Sequence, residues 1–542
     1  MISLPIVERE LRIAARRSGT YWLRAALATF GVLACLQWLG AGIGNANPAT
    51  IGIGAFRMLA LLGFVMAMAA PIITADCISG ERREGTLGLL FLTALKSHDV
   101  VLGKFAVHGL VALYGLIGFS PVLMLCLTLG GVTGGEVVRM ALVLVNTLFL
   151  ALAAGMFVSV RARSQPGAIL GAFGVLATIA FGPVVLQWVT LSWFPLPLAI
   201  FSPVNAYFSA LDTIYVKAPG GFWSSLLIGH GLGWLLVLLA TFTLRKNWRA
   251  TFAVNAVKVS AQRSRRLVAA PRVIMLNREN RRRAFAPVAR AMLRMPGQRA
   301  MAWFAALIAL LGSLWNAFVL NQLGSVWAAT SVSQVFTLAS SALFAFVAGR
   351  FLFESRRSGE LELLLVTPVG ARGILREQRL ALLRLLLGPL YLVVFGAILA
   401  AAGGIHFSAD HGLLGLFFGL CNMLSSVLGV LAVCRVSMWF GTRVNSPFAL
   451  VGCAVGLVMV APMAVVYLLP LLLGGFSINP IFLSALAAPL LLGKNIFFLW
   501  WASQRLKREF RTSDRSVVDR LLSWIAASSS AKLSAPETQS AQ

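Results

Sequence analysis

The amino-acid sequence predicts an all-α, polytopic transmembrane protein of about twelve spans, arranged as two tandem six-span repeats with both termini in the cytoplasm. Three observations carry this reading. The 542 residues are 59% hydrophobic and only 12% charged, with a mean hydropathy of +0.85, whereas a soluble domain is about one quarter charged. So little polar surface cannot cover the chain in water, and the remainder must face lipid. The 46 Lys plus Arg against 18 Asp plus Glu, a formal charge of +28, gather between alternate apolar runs. Finally, a charged loop near the start of each half recurs in register.

A helix needs about 20 mainly apolar residues to cross the hydrocarbon core. In the first half such runs cover 20–42, 53–76, 101–129, 136–160, 167–195 and 222–244; in the second they cover 300–320, 329–352, 379–403, 413–438, 447–474 and 481–503. Ahead of the first run lies an amphipathic segment with Arg9, Glu10, Arg12, Arg16 and Arg17. The run from Tyr21 to about Gly42 exceeds the roughly 7–15 apolar residues of a signal peptide, and no small-residue cleavage site follows, so it is expected to stay as a span.

With the N-terminus inside, the cytoplasmic segments carry Arg82, Arg83 and Lys96, then Arg161 and Arg163, the stretch 245–299, Arg356, Arg357, Arg372 and Arg376, Arg435 and Arg443, and lastly Arg505, Lys507, Arg508 and Arg511. The outer loops hold Lys217, with Arg57 and Arg139 near span ends. Cationic loops resist translocation, which sets the orientation. Trp188, Trp193, Trp223 and Trp327 fit an interfacial belt on the outer side.

The organisation is therefore a six-span half at 1–244, a basic cytoplasmic linker at 245–286, a second six-span half at 287–503 and a cytoplasmic tail at 504–542. The linker's cations would rest on anionic lipid headgroups, each gaining about 1 kcal/mol near the surface. Nucleic-acid binding is not expected, because stacking aromatics do not alternate with those cations. In the tail, Val517, Val518, Leu521, Leu522 and Ile525 form an apolar stripe suited to the inner leaflet, followed by a Ser/Ala-rich end expected to be disordered.

Self-similarity locates the candidate site. After the second span stand Glu81, Arg82, Arg83, Glu84, Gly85, Thr86, Leu87, Leu89, Leu90 and Thr93; after the eighth, Arg356, Arg357, Gly359, Leu361, Leu363, Leu364 and Thr367 recur without a gap, with Glu354 just before them. Weaker echoes pair Pro5, Leu11, Arg12 and Arg17 with Pro287, Leu293, Arg294 and Arg299, and Met156, Arg161, Ser164 and Pro166 with Met438, Arg443, Ser446 and Pro447. Because each half has an even number of spans, the repeats share one orientation. Within the loop, Gly85 permits a turn, and Leu87, Leu90, Phe91 and Ala94 fall on one face of a short interfacial helix. Such a helix can receive a push from a soluble partner.

The pattern Glu-Arg-x-x-Gly-Thr-Leu-x-Leu-Leu, the Thr beyond it, and Val101-Leu102-Gly103-Lys104 entering the next span closely resemble permeases of the ABC-2 type exporter branch of ABC transporters. Residues Pro5 to Arg12 resemble that family's entrance helix. The resemblance covers both halves, so the chain looks like two permease subunits fused. It implies a bacterial plasma (inner) membrane location and a separate ATP-binding subunit, in two copies, holding ATP and Mg²⁺. By position it points to Glu81, Arg82, Arg83, Gly85, Thr86 and Thr93, to Glu354, Arg356, Arg357, Gly359 and Thr367, and to Arg9, Glu10 and Arg12 in the entrance helix. The second half departs from the pattern: Glu360 replaces the Thr, Glu354 is displaced by one, and Arg376-Glu377-Gln378 stands where Leu102-Gly103-Lys104 would be. Coupling is therefore expected to be asymmetric.

Other chemistry finds little footing. Gly103-Lys104 and Gly493-Lys494 lack the earlier Gly and the hydroxyl residue of a P-loop, so nucleotide hydrolysis is assigned to another chain. The six cysteines form no CxxC pair. His406, Asp410 and His411 read as a solvated outer loop and not as a metal site. Asp76, Glu136, Arg139, Arg384 and Lys494 are placed near span ends, and Asn146, Asn316, Asn422 and Gln187 at span centres read as interhelical glue. The alternatives are a secondary transporter needing no ATPase, for which midplane acids would speak, and a membrane-embedded lipid-modifying enzyme, for which clustered His, Asp or Glu would speak.

Overall fold

The computed structural model describes residues 47–92, 96–190, 198–268, 298–323, 326–362, 370–407, 412–444, 446–463 and 489–510, with isolated positions between 7 and 35, between 292 and 297, and at 465. In order, the helices are α1 (Pro48–Met68), α2 (Pro71–Thr74), α3 (Ser79–Glu84), α4 (Leu87–Leu92), α5 (Ser97–Leu129), α6 (Gly134–Arg161), α7 (Gln165–Thr190), α8 (Pro203–Ser209), α9 (Asp212–Tyr215), α10 (Pro219–Val268), α11 (Gln298–Leu323), α12 (Val326–Arg357), α13 (Gly370–Phe407), α14 (Gly412–Gly441), α15 (Pro447–Val455) and α16 (489–510). The chain is an all-α polytopic membrane protein. Among the described residues, nine helical segments are long and apolar enough to cross a membrane, and Ala449–Met463 is a shorter apolar helix. Most of the expected first span at 20–42 and most of 464–488 lie outside the described residues, as does the linker from 269 to 291.

Two units divide the chain: Met1–Met275 with Thr330–Val335, and Leu276–Ala329 with Phe336–Gln542. In the first, α6 is the central helix. Every residue from Leu150 to Met156 is buried, and four of them, Ala151, Ala153, Ala154 and Gly155, are small enough to let neighbouring backbones approach. Thr74 on α2 donates its hydroxyl to the Leu152 carbonyl at 2.9 Å. A Cβ on Gly155 would lie 2.2 Å from Thr74 Oγ1 and 2.9 Å from the Pro71 carbonyl oxygen. Gly155→Val is therefore expected to destabilise the fold by about 1–3 kcal/mol through overpacking, read as a lower thermal midpoint in detergent; an unchanged midpoint would mean that this contact is not tight.

Two apolar clusters stack along the unit. One joins Phe56, Leu59 and Phe64 of α1 to Phe119 of α5, Met140 and Leu144 of α6, Tyr207 of α8 and Phe222 of α10. The other joins Ile78 and Leu87 to Val100, Val101 and Phe105 of α5, Leu150 to Met156 of α6, and Val237 and Leu244 of α10. In the second unit, Ala345 of α12, Val433 and Val436 of α14, Ala454 and Val458 beyond the start of α15, and Ala502 of α16 form the corresponding core.

Several local features repeat. Ser164 Oγ accepts from the Gly167 amide at 3.3 Å and Ser446 Oγ from the Ala449 amide at 3.1 Å, each capping the helix that follows. Arg161 stacks over Phe157, and Arg443 over Trp439, one turn earlier in each case. Ser202 caps α8 through the Val204 amide at 3.1 Å. Trp223 is exposed.

Candidate functional site

The first loop is built from the end of the second span. Asp76 organises α3: Ser79 Oγ donates to its Oδ1 at 2.6 Å, and the Arg83 guanidinium spans both its oxygens at 2.8 Å each. Ser159, at the cytoplasmic end of α6, accepts from the amides of Ile78 and Ser79 at 3.0 and 3.2 Å, satisfying donors that the start of a helix leaves open. Arg82 donates to the Val160 carbonyl at 2.7 Å, a cation on the last open carbonyls of α6. Then α3 stops at Gly85, whose φ of 76° is costly for any residue with a Cβ. The Gly85 and Thr86 amides bond back to the carbonyls of Arg82 and Glu81 at 3.4 and 3.0 Å, closing a Schellman motif.

The turn aims α4 back along the membrane. Leu87 is buried, and Leu90 and Phe91 pack against the inner cluster. Leu89 and Leu92 point away, 63% and 80% exposed, beside exposed Glu84, Gly85 and Thr86. This displayed apolar pair sits off the i, i+3, i+4 face and is invisible to a periodicity argument. Glu81 and Arg82, by contrast, are half-buried and engaged within the chain.

The second loop reproduces the frame. Gly359 also takes a φ of 76°, with its amide bonded to the Arg356 carbonyl at 3.3 Å. Arg356 donates to the Thr442 carbonyl at 2.6 Å; Thr442 precedes Arg443 as Val160 precedes Arg161. The same guanidinium therefore meets the same carbonyl in each half. Glu354 pairs with buried Arg350 one turn earlier at 2.6 Å, and Arg357, Gly359 and Glu360 are exposed. Arg443 adds a two-oxygen contact to Glu509 at 3.0 Å, tying α14 to α16.

One contact does not repeat. Glu81 Oε1 meets Lys104 Nζ of α5 at 2.6 Å, with the two side chains only 22% and 8% exposed. Their counterparts Ser355 and Gln378 are both buried, and among the described residues Ser355 Oγ and both polar atoms of the Gln378 amide have no hydrogen-bond partner.

At the outer end lies a polar knot that no sequence spacing announces. Asp212 on α9 ion-pairs with Arg139 of α6, accepts from Thr133 Oγ1 at 2.6 Å, and donates its amide to Glu136 Oε1 at 3.2 Å. Arg139 also donates to the Ala210 carbonyl at 3.1 Å and stacks over Tyr215. Tyr207 donates to the Arg57 carbonyl at 3.2 Å, and burial pushes its phenol above the ordinary range. The knot pins α8 and α9 to the mouth of α6.

Within the spans, Asn146 acts as expected of interhelical glue: it donates to the Leu226 carbonyl of α10 at 3.0 Å. It also accepts from His230 at 3.2 Å, whose other ring nitrogen accepts from Trp234 at 3.1 Å. Sequence reading overlooked His230. Lys494 lies on α16, about 16 Å of helix rise from Arg505. Its Nζ donates to the Val458 carbonyl at 2.7 Å, inside the π-helical turn Gly456–Val460, where the widened turn frees an acceptor.

The structure thus brings Glu81, Arg82, Arg83, Gly85 and Thr86 into one turn, and Glu354, Arg356, Arg357 and Gly359 into another. Thr93, Thr367, Arg9, Glu10, Asp410 and His411 lie outside the described residues, while Arg12 is exposed and pairs with Glu8. Among the described residues, no three His, Cys, Asp or Glu side chains gather where a metal could sit.

Comparison with known proteins gives a family for the first half. Residues 4–246 match the family described as ABC-2 family transporter protein. The chain is 32% identical over 185 residues to the probable ABC transporter permease protein NosY of Stutzerimonas stutzeri, a match covering 32% of this chain and 66% of the relative. It is 35% identical over 115 residues to the probable permease NosY of Pseudomonas aeruginosa, covering 20% of this chain and 40% of that one. Matched residues include the whole first loop and the helices that hold it, and over residues 4–246 the chain belongs to the ABC-2 family of transporter permeases.

Proposed function

We propose that this chain is the membrane-spanning subunit of an ATP-driven exporter of the bacterial inner membrane, with two copies of a separate nucleotide-binding subunit, carrying ATP and Mg²⁺, docked beneath the loops at 81–93 and 354–367. The observation that carries this reading is the repeated frame: the helical end of a segment, a left-handed glycine just past it, and an arginine tied to a carbonyl near the end of the fourth span of its half. Such a frame transmits displacement of the loop to two helices at once. Closure of the nucleotide-binding subunits would bias the bundles between inward-facing and outward-facing states, provided it binds one state more tightly. The chain contributes the path and no bond chemistry.

The docking surface is assigned to the displayed residues Glu84, Thr86, Leu89 and Leu92. Replacing Leu89 and Leu92 together by Asp is expected to cut co-purification of the nucleotide-binding subunit at least about tenfold without lowering the thermal midpoint. A double variant that still binds the subunit and supports full stimulated hydrolysis rules out docking there. Lys494, a half-buried cation on an apolar helix, favours a second reading, a secondary carrier, because ionisable residues within membrane-spanning segments mark ion and substrate pathways. That reading predicts gradient-driven transport by this chain alone in proteoliposomes, without any ATPase.

A further inference from the structure

Two fused halves allow the same position to be compared twice within one chain. In the first half the loop is held at three places: Arg83 on Asp76, Arg82 on the end of α6, and Glu81 on Lys104, near the start of α5. Of the loop's side-chain bonds described above, the last alone crosses to the span that follows it. Between Glu81 and Lys104 the chain runs out through α4 and back, so the pair short-circuits the loop and makes α3 and α5 move as one piece.

In the second half the arginine-to-carbonyl contact persists, while the pair is replaced at both ends by Ser355 and Gln378. Both residues remain inside the protein, 1% and 0% exposed, yet among the described residues three of their polar atoms find no partner. Serine and glutamine together reach several atoms less far than glutamate and lysine, so they cannot close the same gap. The joint change has a physical reason: losing only one member would leave a buried charge uncompensated, so the link can be given up only as a pair.

We propose that Lys104 is a positioning residue that locks the first coupling loop to α5 through Glu81, and that the second half lacks this lock, so that nucleotide-driven motion enters the membrane chiefly through the first half. The proposal rests on the coupling function stated above.

The test is amide hydrogen exchange on the complete complex of this chain with its nucleotide-binding subunit, with and without ATP plus vanadate. The nucleotide-driven change at the first turns of α5 (Ser97–Leu129) should exceed that at the first turns of α13 (Gly370–Phe407) by at least about threefold. Lys104→Gln should reduce the α5 change at least about fivefold while the complex still forms, and Lys104→Arg should retain it. The exchanged pair Glu81→Lys with Lys104→Glu should restore it to within about twofold, which a purely steric role would not allow. Ser355→Glu with Gln378→Lys should raise the α13 change. Equal changes at α5 and α13 in the wild type, or an α5 change that Lys104→Gln leaves within about twofold in an intact complex, overturn the proposal alone. A wild-type complex that hydrolyses ATP with no exchange change at either helix overturns the coupling function, and the proposal with it.

Discussion

Replacing Lys104 by Met should lower the stability of the protein by about 3–5 kcal/mol, because it leaves the Glu81 carboxylate without its cation in a site that is mostly closed to water. Methionine fills much of the same volume, so the loss isolates the charge from the packing against Val100, Val101 and Phe105. Adding Glu81→Gln should return most of the loss, since removing both charges removes the desolvation problem together with the attraction. The measurement is the thermal midpoint of the three variants in one detergent. If the double variant is as unstable as Lys104→Met alone, packing and not charge holds α3 to α5.

Arg139→Met should be the second large effect, of about 2–4 kcal/mol. Arg139 is only 13% exposed and serves three partners at once: the Asp212 carboxylate, the Ala210 carbonyl and the face of Tyr215. Without it, Asp212 faces Glu136 with no cation of its own, and α8 and α9 lose their anchor on α6. Limited proteolysis from the outer side should then cut between Ala210 and Lys217 at least about tenfold faster than in wild type. Adding Asp212→Asn should slow that cleavage again. Unchanged cleavage in Arg139→Met would show that α8 and α9 are held by their apolar contacts, such as Phe64 on Tyr207.

Much of the loop was legible in the residues because its determinants are local. Gly85 and Gly359 take the left-handed conformation that a turn at those positions requires, and the turn of Leu87, Leu90 and Phe91 toward the apolar cluster follows from helical spacing. The asymmetry was visible too, as Gln378 standing in the place of Lys104. What spacing could not supply was the division of labour inside the loop. Glu81 and Arg82 look like ideal charged contacts for a partner, yet both are bound within the chain, and Leu89 and Leu92, which look like membrane-facing leucines, are displayed. Asp212 carried no signal because its partners Thr133, Glu136 and Arg139 are far away in the chain and become neighbours only when the outer helices fold over α6.

The sequence by itself determined that this chain lives in a membrane, where its charged loop repeats and which family it resembles. All of these rest on hydropathy, charge placement and short-range spacing, which are properties of consecutive residues. The tertiary structure alone decided which charges are paired inside the protein and which side chains of the loop are exposed. An ion pair such as Glu81 with Lys104, or a guanidinium on the last carbonyl of a distant helix, exists only once packed helices have brought those groups within about 3 Å, and burial then settles whether breaking it is costly.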